Sequence, residues 1–175
     1  MKSKAPVAKI KIGVISDTHI PKQADQLPQE LLDELAKFDF IIHAGDFEDI
    51  DTLKSLQKIN RVIAVSGNMD PKEIKDKLKQ KETINVDHHK IGVIHGWGDP
   101  HKIAQTVLQE FKNEGVQCVV FGHSHQAFNE VIDGILMFNP GSPTDIIYAH
   151  FKSYGILETF PDGIKGQIIR LEEQI

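Results

Sequence analysis

Two histidines separated by one residue, His123 and His125, follow a short apolar run that ends at Gly122. Imidazole is the commonest metal-binding side chain near neutral pH. If the run Val119–Phe121 is a buried strand, Gly122 allows a sharp turn at its end, and both rings can face one point. The alternative is a polar loop with two solvated histidines, because short motifs often match by chance. The His123 and His125 pair by itself does not distinguish a metal site from a solvated polar loop.

The same arrangement, an apolar run that ends at residues able to bind metal, occurs four more times upstream. The candidate ligands at the five run ends are Asp17 and His19, Asp46, Asn68, His95, and His123 and His125. The carboxyl ends of parallel strands lie along one edge of an α/β sheet, so residues distant in sequence meet there. Core packing does not require Asp, Asn and His at five strand ends. We therefore expect these seven residues to form one metal site.

The elements between these runs predict an α/β fold. Leucines at helical spacing separate the first three apolar runs, which indicates a βαβαβ opening. Asp99 and Pro100 predict the start of a further helix, and His43 within its strand is predicted to be a buried histidine. After His125 the pattern becomes antiparallel, with a turn at Asp133 and Gly134. A parallel first half and an antiparallel second half suggest two sheets packed face to face with helices outside.

Length and composition restrict the class of protein. The 175 residues, 40% of them hydrophobic and 26% charged, predict one globular domain over residues 1–175. A net charge of −5 gives no electrostatic reason to expect duplex nucleic acid as a partner. No apolar segment approaches the length of a membrane span, so we expect a cytoplasmic protein without a membrane partner. The oligomeric state is left open, a homo-oligomer included.

The candidate ligands can be divided between two metal ions. Asp17, His19 and His125 would hold one ion, Asn68, His95 and His123 a second, and the Asp46 carboxylate would bridge them. Such a mixture of imidazole, carboxylate and amide favours Mn, Fe, Co, Ni or Zn over Mg or Ca. Two divalent ions against two carboxylates leave about two positive charges, which suits a hydroxide and a phosphodiester anion. Hydrolysis of a phosphate ester by in-line attack is the expected reaction.

These motifs resemble those of a known family over nearly the whole chain. The motifs Asp17-x-His19, Gly45-Asp46, Gly67-Asn68, His95-Gly96 and Gly122-His123-Ser124-His125 resemble those of the calcineurin-like metallophosphoesterase superfamily. Ile20-Pro21, Gly67-Asn68-Met69-Asp70 and Asn139-Pro140-Gly141-Ser142 are similar to the small phosphodiesterases of the YfcE and MJ0936 type, a subgroup that Vps29 also resembles. The resemblance implies a four-layer α/β/β/α sandwich, two mixed sheets flanked by helices. It also implies a dinuclear site, with Mn expected first and Ni, Co, Fe or Zn as alternatives.

The expected activity is that of a phosphodiesterase acting on small-molecule phosphodiesters. Asp46, Asn68 and His125 are the expected catalytic residues, which would support a metal-activated hydroxide and the phosphate. Many phosphatases of the superfamily have a histidine where this chain has Met69, and a thioether cannot donate a proton to a leaving group. Trp97, where relatives often have histidine, and Asp70 are predicted to contact substrate. For Trp97 the competing prediction is a ring that merely covers the core.

Two other functions compete with the enzyme. A protein-interaction scaffold of the Vps29 type would use the same fold without metal chemistry, and loss of chemistry should leave substitutions among the ligands. All seven positions carry residues able to bind metal, which favours the enzyme. A phosphoprotein phosphatase is disfavoured because the leaving-group histidine and the extra length for a peptide groove are both missing.

Overall fold

The computed structural model describes residues 10–171 and contains, within that range, ten strands and four helices. The strands are β1 Lys11–Ile15, β2 Phe40–His43, β3 Val62–Ala64, β4 Lys81–Val86, β5 His89–Ile94, β6 Cys118–Val120, β7 Phe128–Ile132, β8 Ile135–Asn139, β9 Ser153–Phe160 and β10 Gly163–Arg170. The helices are α1 Gln29–Leu35, α2 Ile50–Ile59, α3 Lys72–Lys77 and α4 Ile103–Glu110. The strands form two sheets, in the orders β10-β9-β1-β2-β3 and β4-β5-β6-β8-β7.

Both sheets are mixed. In the first, β1, β2 and β3 are parallel, and β9 pairs antiparallel with β1. In the second, β5, β6 and β8 are parallel, with β4 and β7 antiparallel at the two edges. The hairpin β9–β10 therefore returns to the first sheet, so a parallel first half and an antiparallel second half do not correspond to the two sheets. This return covers the edge of β1, whose backbone groups would otherwise lack strand partners.

Apolar side chains fill three layers between and outside the sheets. The core between the sheets includes Ile12, Val14, Val93, Val120 and Phe138. On the outer face of the first sheet, α1 and α2 contribute Leu31, Leu35, Leu53 and Leu56. On the outer face of the second, α4 contributes Ile103, Val107 and Leu108. The result is the expected four-layer α/β/β/α sandwich.

Helix α4 begins later than the sequence suggested. The Asp99 carboxylate accepts a hydrogen bond from the His101 N–H at 3.0 Å, and the Asp99 carbonyl accepts one from the Lys102 N–H at 2.9 Å. Asp99 thus closes a turn, and the regular helix starts at Ile103. Among residues 10–171, no helix is long and apolar enough to cross a membrane.

The strand ends determine where the loops meet. The register pairs Ile15 with His43 and His43 with Ala64, so β1, β2 and β3 end at the same level. In the second sheet, Val93 pairs with Val120, which places the ends of β5 and β6 side by side. The loops after these five parallel strands carry the candidate ligands.

Candidate metal centre

A first group of donor atoms comes from the β1 and β6 loops. His19 Nε2 lies 3.1 Å from His125 Nε2 and 3.9 Å from Asp17 Oδ1, and His125 Nε2 lies 3.5 Å from that oxygen. Donor atoms that bind one ion at about 2.1 Å lie roughly 3.0 to 3.5 Å from one another. The three side chains are nearly or fully buried and fit one transition-metal ion.

A second group comes from the loops after β2, β3, β5 and β6. His95 Nε2 lies 3.2 Å from Asp46 Oδ2 and 3.8 Å from Asp17 Oδ1. The amide oxygen of Asn68 lies 3.1 Å from His95 Nε2 and 3.2 Å from His123 Nδ1. All seven candidate ligands from the sequence therefore lie in one contiguous cluster.

Two carboxylates lie between the groups, whereas the sequence predicted one. Asp46 Oδ2 is 3.2 Å from His95 Nε2 and 3.7 Å from His19 Nε2, a position that suits a bridge. Asp17 Oδ1 also lies within 3.9 Å of a histidine nitrogen in each group. Because β1 lies in the centre of its sheet, its loop reaches both groups. Asp17 is thus a second candidate bridge.

The second ring nitrogen of each candidate histidine has an acceptor. His19 Nδ1 contacts the Glu48 carboxylate, His125 Nδ1 lies 2.5 Å from Asp145 Oδ2, and His95 Nδ1 lies 2.8 Å from the Ala44 carbonyl. Such partners determine the tautomer and turn the Nε2 lone pair towards an ion. His123 is reversed: its Nε2 lies 3.3 Å from the Gly98 carbonyl, so Nδ1 faces the cluster. This donor set fits transition-metal ions.

The sequence analysis did not identify Glu48 and Asp145. Asp145 Oδ2 also accepts the N–H groups of Tyr148 and Ala149 at 3.1 Å, and its other oxygen accepts that of Ile147 at 2.8 Å. Only their positions in the sequence could have pointed to them: Glu48 lies two residues after Asp46, and Asp145 follows the Asn139–Ser142 motif. No sequence periodicity connects a loop carboxylate with a histidine 20 residues earlier.

Five of the seven candidate ligands have left-handed backbone conformations. The φ angles are 54° for Asp17, 42° for His19, 59° for Asp46, 69° for His123 and 59° for His125. Non-glycine residues rarely adopt these values, and each costs on the order of 1 kcal/mol or more. The concentration of this strain at five donors is typical of a functional site.

Two glycines allow the loops to approach one another closely. A Cβ at Gly122 would lie 2.0 Å from Ser16 Oγ and 2.7 Å from Asp17 Oδ2. A Cβ at Gly67 would lie 2.0 Å from Asp46 Oδ1. Gly122 has no positive φ, so its role is close approach to Asp17 and not the sharp turn predicted from the sequence.

Asp70 faces inward, contrary to the substrate contact predicted for it. It is 3% exposed, and its two oxygens accept the backbone N–H groups of Asp46, Phe47, Glu48 and Gly67 at 2.6–3.1 Å. Burial raises the pKa of the Asp70 carboxyl, and the backbone donors oppose that shift only in part. We assign Asp70 a positioning role, since it joins the loops that follow β2 and β3.

The two carboxylates set the charge of His95. Burial acts to lower the pKa of His95, but the charges of Asp17 and Asp46 and the hydrogen bond that the ring donates to Asp46 outweigh it and raise the pKa to about 9. Burial acts to raise the pKa of Asp46, but the hydrogen bond and charge of His95 lower it. The two buried carboxylates therefore favour a positive charge at this point of the cluster.

His43 is fully buried, which confirms the sequence prediction. Its ring stacks on Phe47 with 3.5 Å between centroids, and its Nδ1 accepts the Gly45 N–H at 3.1 Å. Burial lowers the pKa of His43 well below its ordinary value, with the charge of His95 adding to the effect. The His43 ring is therefore neutral, and the hydrogen bond that it accepts from the Gly45 N–H stabilises the turn at Gly45 and Asp46.

Two cavities adjoin the cluster. One of about 500 Å³ is lined by five of the candidate ligands together with Lys22, Met69, Pro100 and Tyr148. The other, of about 470 Å³, is lined by Asn68 and His95 together with Lys75, Gln80 and Trp97. Trp97 is 47% exposed and lines this second cavity, and its predicted contact with substrate stays a prediction.

Comparison with known proteins agrees with this geometry. A family model described as the calcineurin-like phosphoesterase superfamily domain matches residues 10–160. The probable metallophosphoesterase MJ0623 of Methanocaldococcus jannaschii is 39% identical over 167 residues, which cover 93% of this chain and 82% of that protein. The phosphodiesterase MJ0936 of the same organism is 29% identical, over 86% of this chain and 93% of that protein.

A solved structure extends the comparison to the fold. Vps29 of Chaetomium thermophilum has a TM-score of 0.76 and 20% identity, over 91% of this chain and 97% of that chain. At this identity the likeness concerns the fold alone. Because the family model covers most of the chain and its metal-binding motifs meet in one cluster, the chain belongs to the calcineurin-like phosphoesterase superfamily.

Proposed function

We propose that this chain is a phosphodiesterase that hydrolyses small phosphodiesters with two divalent transition-metal ions. The observation that supports it is the convergence of seven donor side chains into two groups that share Asp17 and Asp46. The name of MJ0936, a phosphodiesterase with 29% identity, supports the same reaction class.

The donor chemistry agrees with this proposal. Four imidazoles, two carboxylates and one amide suit Mn, Fe, Co, Ni or Zn. Among these we propose Mn as the native ion, because the resemblance of the motifs to the small phosphodiesterases implies it. When bound, two divalent ions would lower the pKa of water and neutralise charge on the phosphate oxygens. The two carboxylates would neutralise only half of the charge of two divalent ions, so about two positive charges would remain for the anionic substrate.

The chain contributes fixed orientation. Asp46 Oδ1 accepts the Met69 N–H at 2.8 Å, which turns Oδ2 towards the two histidine groups. Asn68 lines both cavities and places its amide oxygen between His95 and His123. His125 is held by Asp145. Asp46, Asn68 and His125 are therefore the proposed catalytic residues.

The residue at the position of the leaving-group histidine cannot protonate a departing alkoxide. The Met69 side chain is 48% exposed and lines this cavity, and its thioether has no proton to donate. The neighbouring Asp70 carboxylate is occupied by four backbone N–H groups. We therefore propose a preference for diesters whose leaving group carries negative charge unaided.

The scaffold function has weaker support. The likeness to Vps29 concerns the fold alone, and the complete donor set with its outer partners favours catalysis. A phosphoprotein phosphatase has no supporting observation in the cleft, where Met69 replaces the leaving-group histidine.

Metal content and turnover test the proposal together. Protein stripped of metal and reloaded with Mn²⁺ should bind two ions and hydrolyse bis(p-nitrophenyl) phosphate faster than p-nitrophenyl phosphate. Asp46→Asn should reduce both occupancy and turnover, because one oxygen serves both groups. Asp76→Asn, on the exposed face of α3, is the matched control. Full activity with at most one bound ion would contradict the dinuclear model, and no hydrolysis with any of the five metals would contradict the enzyme.

A further inference from the structure

The cavity of about 470 Å³ lies beside the candidate metal centre and not over it. Asn68 and His95 are the candidate ligands in its lining, and Asn68 also lines the cavity of about 500 Å³ above the cluster. Its volume is within the range of about 300–1,000 Å³ typical of small-molecule sites. A group attached to phosphorus at the metal centre can therefore extend past Asn68 into a second space.

The wall of this cavity includes a large exposed aromatic ring. Trp97 is 47% exposed, although tryptophan is usually well buried. It is the single tryptophan of the chain and lies between Gly96 and Gly98, two residues after the candidate ligand His95. An accessible indole beside a phosphate-binding centre is suited to stacking on a flat ring.

Polar groups in the same lining can recognise the edge of such a ring. The Lys75 ammonium donates to the Asn68 carbonyl at 2.8 Å and forms no ion pair among residues 10–171, so N–H donors remain available. The side-chain amide of Gln80 adds a donor and an acceptor. Lys81 differs, because its ammonium is paired with the Glu114 carboxylate and lies 4.3 Å from the Phe111 ring centroid.

We infer that this cavity binds the nucleobase of one ester arm, so that the substrate is a nucleoside phosphodiester. The inference depends on the proposed function, since it places phosphorus at the metal centre. A nucleobase combines a flat face for Trp97 with ring and keto acceptors for Lys75 and Gln80. A phenyl arm offers only the face, and a methyl arm offers neither. The second arm lies in the other cavity, beside Met69 and Tyr148.

Because Trp97 is the single tryptophan of the chain, its fluorescence reports ligand binding in this cavity without turnover. Titration of zinc-loaded protein with adenosine 5′-monophosphate should quench its fluorescence saturably, whereas methyl phosphate should leave it unchanged. Lys75→Ala should weaken the adenosine 5′-monophosphate titration about tenfold. Lys72→Ala is the matched control, since Lys72 lies on the same helix, pairs with Asp76 and is absent from the lining. Equal quenching by both phosphates, or equal effects of both lysine variants, overturns the inference.

Kinetics with three p-nitrophenyl diesters test which chemical group the cavity binds. Their other ester arm is thymidine 5′-, phenyl or methyl. Trp97→Ala should lower kcat/KM about 5- to 150-fold for the thymidine 5′-diester and leave the methyl diester unchanged. Trp97→Phe, which retains a ring, should recover part of the loss. Lys75→Ala should affect the thymidine diester and spare the phenyl diester.

The outcomes separate the inference from the proposed function. Wild-type protein that hydrolyses none of the diesters with any of the five metals overturns the proposed function and, with it, the inference. Wild-type protein that hydrolyses all three, with Trp97→Ala changing each equally, leaves the phosphodiesterase intact and overturns the nucleobase site alone.

Discussion

Asp145→Asn tests whether the outer carboxylates control metal binding. In the structure, Asp145 Oδ2 faces three donors, the His125 ring nitrogen Nδ1 and the N–H groups of Tyr148 and Ala149. Although burial acts to raise it, the pKa of Asp145 is lowered by the Ile147 N–H and by His125, so the group is a carboxylate at neutral pH. An asparagine NH₂ in the same place would put a hydrogen-bond donor against the N–H donors of His125, Tyr148 and Ala149, with no acceptor between them.

The imidazole can satisfy an NH₂ partner only by changing tautomer. His125 Nδ1 would then accept, and the proton would move to Nε2, the nitrogen that lies 3.5 Å from Asp17 Oδ1. A protonated Nε2 cannot bind an ion. Loss of such an outer partner typically lowers metal affinity 10- to 100-fold, which equals about 1.4–2.7 kcal/mol. Only the group of Asp17, His19 and His125 should be affected, because His95 is held independently by the Ala44 carbonyl.

Isothermal titration of metal-free protein with Mn²⁺, in competition with a chelator, measures the two binding steps separately. We expect one step to weaken 10- to 100-fold and the other to change less than twofold. Glu48→Gln should weaken the same step, since Glu48 contacts His19 of the same group. Asp76→Asn provides the exposed control.

Circular dichroism and the melting temperature of the metal-free variants show whether the fold is kept. If folded Asp145→Asn protein binds both ions as tightly as wild type, the outer carboxylate does not orient the ligand. If both steps weaken equally, the two groups are not independent, and the division of ligands is incorrect.

Three further predictions follow from other parts of the site. Gly122→Ala should lower the free energy of unfolding by several kcal/mol in urea titrations, because its Cβ would lie 2.0 Å from Ser16 Oγ; unchanged stability would contradict this packing. The folded pKa of His95 is about 9 against an ordinary value of 6.5, so its contribution is complete below pH 6.5 and is lost as pH rises through 9. Metal-free protein should therefore lose on the order of 3 kcal/mol of stability between these pH values, and His95→Gln should lose much less. Because Met69 cannot donate a proton, the logarithm of kcat/KM should fall as the pKa of the leaving phenol rises; a flat series would identify a hidden acid.

The types of the site residues were readable from the sequence because each follows an apolar run. Buried strands require such runs, and parallel strands bring their carboxyl ends to one edge, so the convergence of Asp17, Asp46 and His123 could be predicted without coordinates. The strand and helix patterns predicted two sheets with helices outside, whereas the four-layer sandwich was implied by the family resemblance, and the strands are not divided between the sheets by halves of the chain. The extent of the domain over residues 1–175 and the roles of the ligands in catalysis are still predictions.

The tertiary structure alone decided which atoms face each other. Asp17 reaches both ligand groups because β1 lies between β9 and β2, a neighbour relation set by the return of the C-terminal hairpin. Asp70 faces four backbone N–H groups and not the cleft, although its neighbour Met69 is half exposed. Asp145 meets His125 across two loops. Local sequence patterns record burial and backbone preference, whereas these contacts depend on the through-space distance between segments remote in the chain.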